Sequence, residues 1–247
     1  MTSLVLAVRY LTIVPLPGRA AHGAPALGRA ASWFPFVGLG LGLVLAGVER
    51  VTSVVFPPPL AALLTVTAWK VLTGGLHLDG LADCLDGLAG KDAEHRLRIM
   101  RDSRIGAFGA IGLILFLLLE TVAVAELPAG VRWRALLVLP AVGRATPPLL
   151  ARCFASARVE GQGATFRDGL RAGAAPLGLA LAVALAVAAL GVVGLALAAL
   201  SVAAALALAA FMAGKLAVVT GDVLGAAIEI AELTGLLTVA AWAHARP

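Results

Sequence analysis

Residues 176–219 read PLGLALAVALAVAALGVVGLALAALSVAAALALAAFMAGKLAVV, an apolar run in which Lys215 is the single charged residue. A helix needs about 20 apolar residues to cross a bilayer, so the run has room for two crossings. Its apolar residues are continuous and do not alternate with polar ones, which argues against a membrane β-barrel. Because only helices and closed barrels satisfy their backbone groups in lipid, the run predicts transmembrane helices.

The rest of the chain has the same character. Its 247 residues are 61% hydrophobic and 13% charged, with a mean hydropathy of +0.99, whereas a soluble domain carries about 25% charged residues. We therefore predict an all-α, polytopic integral membrane bundle that forms one domain over residues 1–247, with about six to eight spanning helices. The boundary inside 176–219 is poorly marked. The predicted spans are 33–55, 58–74, 106–125, 134–151, 176–197, 199–219 and 224–243.

Basic residues are distributed unevenly over the connecting segments. Segments 75–105 and 152–175 are rich in arginine, whereas 126–133 contains only Arg132. The positive-inside rule places the two basic segments on the cytoplasmic side of the cell (inner) membrane. The net charge of +5 is then explained by contacts with lipid headgroups, and no aromatic-basic platform for nucleic acid is present.

Three further patterns concern local structure. The N-terminal apolar run to Val14 is short for a span and predicts an interfacial or re-entrant helix, ended by Pro15 and Pro17. Lys70 lies near the end of a short predicted span, where its ammonium can snorkel to the interface. Glycines in the first span predict close helix packing. They are Gly38, Gly40, Gly42 and Gly47.

The scarce carboxylates are concentrated in two segments. Of 14 acidic residues, six lie within 79–102 and three within 222–232. In GGLHLDGLADCLDGLAG, residues 74–90, three aspartates stand at i, i+4 and i+7, which places them on one helix face. Those of the second segment fall partly inside the last predicted span, where carboxylates are costly and usually have a functional partner.

Carboxylates on one face repel each other, and a divalent cation removes that repulsion. Oxygen ligands without a matched set of Cys or His favour Mg²⁺, Mn²⁺ or Ca²⁺ over Zn²⁺. Mg²⁺ usually completes its coordination with water and substrate phosphates, so the predicted chemistry is phosphoryl or phosphate-ester transfer. The predicted metal ligands are Asp79, Asp83, Asp86, Asp102, Asp222 and Glu229. The predicted phosphate-binding residues are Arg98, Arg101, Arg104 and Arg158.

Structural interpretations of the same residues stay open. The aspartates can form a solvated helix face, although the neighbouring glycines weaken a purely structural helix. The arginines of RLRIMRDSR, residues 96–104, can be topological anchors, and His77 can be an ordinary interfacial histidine. Arg144, in the middle of a predicted span, can pack against a backbone carbonyl or bind substrate.

The motifs together resemble those of one known family. GGLHLDGLADCLDG at 74–87, IMRDSRIGAFG at 99–109 and TGDVLGAAIEIAE at 220–232 look like the adenosylcobinamide-GDP ribazoletransferase family, also called cobalamin-5′-phosphate synthase. YLTIVPLPG at 10–18 and SWFPFVGLGLG at 32–42 are similar to the same family.

The resemblance implies a Mg²⁺-dependent membrane enzyme with a cytoplasmic site. In this family α-ribazole, or its 5′-phosphate, attacks the phosphate of adenosylcobinamide-GDP. GMP leaves, and adenosylcobalamin or its 5′-phosphate forms, in the last assembly of the nucleotide loop of vitamin B12. The catalytic candidates are Asp83 and His77, since either a carboxylate or the imidazole would accept the proton of the ribose 3′-hydroxyl. Whether the chain forms a homo-oligomer is open.

Two other functions use similar residues. CDP-alcohol and prenyl transferases also have aspartate-rich metal sites, but LADCLDG lacks the AR of the CDP-alcohol element DG-x-x-AR. A divalent-cation transporter would place its carboxylates near the bilayer midplane, whereas most acids here lie in a basic segment at one edge.

Overall fold

The computed structural model describes residues 3–17, 24–155 and 162–245, with the side chains of 24–25 and 162–165 left out. Within these ranges the chain folds into twelve α-helices, as the apolar composition predicts. The helices are α1 Ser3–Leu11, α2 Ala24–Ala30, α3 Phe34–Val55, α4 Pro58–Leu72, α5 Leu76–Gly87, α6 Ala93–Ile99, α7 Ala107–Glu126, α8 Ala129–Cys153, α9 Gln162–Gly169, α10 Ala174–Leu190, α11 Val192–Leu216 and α12 Gly221–His244.

Seven longer helices run back and forth through the bundle in chain order. At one end α3, α7 and α10 are followed by tight turns into α4, α8 and α11. At the other end the connections that follow α4 and α8 are longer and contain α5, α6 and α9, whereas α11 leads into α12 over residues 217–220. Helices α1 and α2 precede α3 at this end. We call this second end the motif end, because it contains the aspartates at 79–86 and the start of α12.

The membrane character of the bundle is confirmed by its helices. Among the described residues, α7, α11, α12 and the helical stretch Ala26–Val55 are each long and apolar enough to cross a membrane. Helices α4 and α5 pass the same test only together, and they meet at an angle of 90°. Because of that bend, α5 does not continue the direction of α4, and we treat it as lying outside the crossing helices.

The bend between α4 and α5 depends on two glycines. Gly74 and Gly75 have φ angles of 64° and 68°, in the left-handed region that glycine adopts without steric cost. The backbone N–H of Gly75 donates to the carbonyl of Lys70 at 3.0 Å, so it closes the last turn of α4. The aspartate-bearing helix is therefore redirected along the motif end.

Helix α8 is the centre of the bundle and packs against α3, α10, α11 and α12. Its contact with α3 is close because two glycines face it. A methyl group on Gly38 would lie 2.3 Å from the carbonyl oxygen of Pro140, and one on Gly42 would lie 2.0 Å from that of Leu137. The predicted close packing is thus confirmed for these two glycines. It is wrong for Gly40 and Gly47, which face open space.

Two predicted boundaries are corrected. The long apolar run breaks at Gly191, which has a φ of 63°, and not near residue 198, because this glycine alone supplies the left-handed turn. Helix α1 ends at Leu11, before either proline. There the backbone N–H of Ile13 donates to the carbonyl of Leu72 at 2.9 Å, so a tertiary hydrogen bond draws the chain out of the helix.

Gly42→Ala is expected to lower the free energy of unfolding by roughly 1–3 kcal/mol, because overpacking forces backbone shifts in a filled core. Gly40→Ala is the matched control on the open face of α3. Its stability is expected to stay level or to rise slightly, since alanine has the higher helix propensity. Thermal unfolding of both variants in detergent measures the difference, and equal midpoints would contradict the α3–α8 contact.

Candidate active site

Helices α5 and α12 cross closely at the motif end. A methyl group on Gly80 would lie 2.6 Å from the backbone oxygen of Asp222, so only glycine allows this approach. Thr220 caps α12, with its hydroxyl accepting from the N–H of Val223 at 3.3 Å. The crossing therefore brings the first turn of α12, with Asp222, beside the middle of α5, although the two are far apart in sequence.

Three carboxylates form what we call the acidic face: Asp79, Asp83 and Asp222. Asp79 is exposed, and the other two are half-buried. Burial, together with the negative charges of Asp79, Asp222 and Asp86, raises the pKa of Asp83 to about 7. Such mutual repulsion is what a bound cation relieves.

The acidic face suits a cation that takes some of its ligands from the protein and the rest from water and substrate. Within the described ranges, no three His, Cys, Asp or Glu side chains converge closely enough to hold a metal ion by themselves. Mg²⁺ commonly takes only one or two carboxylates and completes its shell with water and phosphate oxygens. The oxygen donors here suit that kind of site and not a cage built from protein alone.

Asp86 has a structural partner that the sequence analysis did not predict. Its two carboxylate oxygens accept the backbone N–H groups of Gly106 at 2.7 Å and Gly109 at 2.8 Å. Asp86 thereby satisfies orphan donors at the start of α7. Methyl groups on these glycines would lie 2.4 Å and 2.5 Å from the carboxylate oxygens. The GAFG spacing, with two glycines three residues apart after an acidic helix, is the signal that could have found this contact.

Asp102 and the predicted arginines of the 75–105 segment lie on its exposed surface. Asp102 accepts from Arg104 through both oxygens, at 3.0 Å and 2.7 Å. These hydrogen bonds lower the pKa of Asp102 to about 2. Arg98 and Arg101 are exposed on the same segment, and Arg158 lies outside the described residues.

The interior of the bundle contains a buried charge cluster. The ammonium of Lys70 lies 2.9 Å from a carboxylate oxygen of Glu120 and 2.5 Å from one of Glu229. Arg144 pairs with Glu232, and both side chains are fully buried. Lys70 does not snorkel to the interface as predicted, because the two carboxylates, on α7 and α12, hold it inside. Glu229, a predicted metal ligand, has this ammonium as its partner.

His77 lies on the inner side of α5. It is 3% exposed, and a methyl group on Gly225 of α12 would lie 3.4 Å from its Cα. Nδ1 is buried and has no hydrogen-bond partner among the described residues. Two residues along a helix correspond to about 200° of rotation, so His77 and the exposed Asp79 point in nearly opposite directions. The structure therefore separates the imidazole from the acidic face.

The comparison with known proteins agrees with these motifs. Residues 3–240 match the model of the cobalamin-5-phosphate synthase family. The chain belongs to this family. An adenosylcobinamide-GDP ribazoletransferase of Geotalea daltonii is 37% identical over 237 residues, which cover 96% of each chain. Proteins with the same description from Roseiflexus sp. and Chlorobium phaeobacteroides are 38% and 40% identical over 94% of this chain, and the matches cover 87% and 95% of those proteins. No solved structure matches the chain.

Asp86→Ala is expected to lower the free energy of unfolding by about 1–3 kcal/mol, because the N–H groups of Gly106 and Gly109 lose their acceptor. The amide of Gly109 should also exchange its hydrogen faster. Asp102→Ala, an exposed change in the same segment, is the control and is expected to leave the unfolding midpoint in place. A similar shift for the two variants would contradict the capping role.

Arg144→Met is expected to cost about 3–5 kcal/mol, because Glu232 is left buried without a partner. Removing both charges, in Arg144→Met with Glu232→Leu, should recover a large part of that loss. Arg134→Met, on the exposed side of the same helix, is the control for the loss of an arginine. Unfolding in detergent measures all three variants. A double variant less stable than Arg144→Met would show that the ion pair does not explain the burial.

Proposed function

We propose that this protein is an adenosylcobinamide-GDP ribazoletransferase, which joins adenosylcobinamide-GDP and α-ribazole, or its 5′-phosphate, and releases GMP. The observation that carries the proposal is the family match over residues 3–240, shared with relatives of that description at 36–40% identity. The family match favours ribazole transfer over a CDP-alcohol or prenyl transferase and over a cation transporter.

The acidic face is the proposed reaction centre. Mg²⁺ would be held by Asp79, Asp83 and Asp222 together with phosphate oxygens of the substrate. When bound, it would neutralise negative charge on the attacking and leaving oxygens. The Gly80 crossing supports this assignment, because it holds α12 and α5 at a fixed distance. A carboxylate of this face takes the proton of the ribose 3′-hydroxyl, since His77 lies on the inner side of α5.

The exposed arginines of the 75–105 segment are the proposed pyrophosphate ligands. Arg98 and Arg101 have free access to solvent, and guanidinium groups bind phosphate oxygens in bidentate fashion. Arg104 is paired with the exposed Asp102, and a substrate phosphate would compete with that carboxylate for it. Arg158 stays in the proposed set on sequence alone.

We place the protein in the inner membrane of the cell, with the motif end on its cytoplasmic side. The described basic residues are concentrated at that end, which the positive-inside rule assigns to the cytoplasmic side. The apolar residues exposed along α7, such as Phe108, Ile111 and Leu118, would face lipid. Nucleotide substrates would then reach the acidic face from the aqueous side without entering the bilayer.

The direct test mixes adenosylcobinamide-GDP and α-ribazole with the reconstituted protein and measures GMP. GMP release is expected with Mg²⁺ and is expected to stop when EDTA removes it. Asp83→Asn should lower kcat/KM by roughly 100-fold, the scale seen when a transition-state stabilising group is lost.

Asp92→Asn is the matched control for that variant. Asp92 is an exposed carboxylate of the same segment that caps α6 by accepting from the N–H of His95 at 2.8 Å, and asparagine caps about as well. Its activity is expected to equal that of the unchanged protein. No GMP from well-folded protein would overturn the proposed function, and undiminished GMP release in EDTA would overturn the metal assignment.

A further inference from the structure

Tyr10, the only tyrosine of the sequence, ends a row of stacked aromatic rings. Its ring lies 6.0 Å from that of Phe34 with an interplanar angle of 14°. Phe34 in turn stacks on Phe166 at 6.2 Å and 23°. Phe34 and Phe166 are 1% and 5% exposed, whereas Tyr10 is 44% exposed. The row is therefore buried at one end and exposed at Tyr10.

The open end of the row lies on the part of α1 that packs near the first turn of α12. Ala7 and Leu11 of α1 belong to a buried cluster that Leu224 packs against, and Leu224 stands two residues after Asp222 in α12. The hydrogen bond from Ile13 to Leu72 ties the end of α1 to the bend that starts α5. Partial burial and the negative charge of Asp222 both raise the pKa of the Tyr10 hydroxyl, which agrees with this proximity.

An exposed ring in this position has the properties of a stacking platform. Flat nucleobases stack on aromatic side chains, and the interaction tolerates different bases because each has a π-face. Phe34 already stacks on Tyr10, so less side-chain freedom is lost when a ligand contacts the exposed part of the tyrosine. Both substrates of the proposed reaction carry a base attached to a ribose, and that ribose either bears a phosphate or attacks one.

We propose that Tyr10 is the stacking subsite for the flat base of a nucleotide or nucleoside substrate whose phosphate or ribose lies at the acidic face. This inference rests on the proposed function. The base is either that of α-ribazole or the guanine of the departing nucleotide, and the two share the same stacking chemistry. The competing role for a half-exposed tyrosine at a membrane boundary is contact with lipid headgroups.

Binding and turnover of Tyr10 variants separate these roles. In Tyr10→Leu, the Kd and the KM of one base-carrying ligand are expected to rise by roughly 10-fold, with kcat at saturation retained. Tyr10→Phe keeps the ring and is expected to stay within about twofold of the unchanged protein. Trp33→Leu, a change at an exposed aromatic pair with Phe36 at the start of α3, is the control and should leave Kd and KM unaltered.

The ligands to be used are GMP and α-ribazole, with equilibrium dialysis against detergent-solubilised protein. A selective loss of GMP binding identifies guanine as the stacked base, and a selective loss of α-ribazole binding identifies the other base. Unchanged Kd and KM for both ligands in Tyr10→Leu would overturn the subsite and leave the lipid role. A loss in Tyr10→Phe as large as in Tyr10→Leu would also overturn it, because the hydroxyl and not the ring would then matter.

The binding measurement does not depend on turnover. If the unchanged protein binds either ligand in a Tyr10-dependent manner but releases no GMP from the full mixture, the proposed function fails and the subsite stands. If GMP is released normally and Tyr10→Leu behaves as the unchanged protein, the proposed function stands and the subsite fails.

Discussion

The buried ion pairs of α12 are the interaction on which the arrangement of this protein depends. Glu229 pairs with Lys70 of α4, which also contacts Glu120 of α7, and Glu232 pairs with Arg144 of α8. In an apolar interior a charge without a partner is far more costly than a mismatched apolar contact, so these pairs select one register of α12 against its neighbours. Because Asp222 lies two turns before Glu229, this register also places Asp222 beside Gly80 of α5. The acidic face at the boundary is thus positioned from inside the membrane-embedded part of the molecule.

The structure contains two kinds of helix, which differ in length and in the charge they carry. The crossing helices are apolar on the outside and packed closely inside, as where Gly38 and Gly42 admit the backbone of α8. The short helices of the motif end carry the exposed charges and lie where the crossing helices begin or end. The exposed carboxylates and arginines of the motif end can therefore be attached to an apolar bundle, because they need not enter the hydrocarbon region.

Sequence patterns predicted what depends on local periodicity and composition. The crossing helices follow from continuous apolar runs, and the common face of Asp79 and Asp83 follows from their spacing. The patterns could not predict which groups meet across the fold. The same spacing that includes Asp86 does not reveal that its oxygens cap α7, and the apolar pattern around Glu229 does not reveal Lys70 as its partner. Glycine was the most ambiguous signal, since Gly191 ends a helix, Gly80 admits a neighbour and Gly40 does neither.

The bond between Asp86 and the start of α7 has a mechanical consequence. It closes residues 88–105 into a loop whose two ends meet at the start of α7. Between those ends, Met100 is buried in the same apolar cluster as Leu81 and Cys84 of α5. The entropic cost of closing such a loop grows only slowly with the length of the loop. The exposed residues 101–105 can thus change in number during evolution while Met100 and the two ends of the loop stay where they are. Arg101 and Arg104 belong to this exposed stretch, so their positions can vary without moving Asp79 and Asp83 on α5.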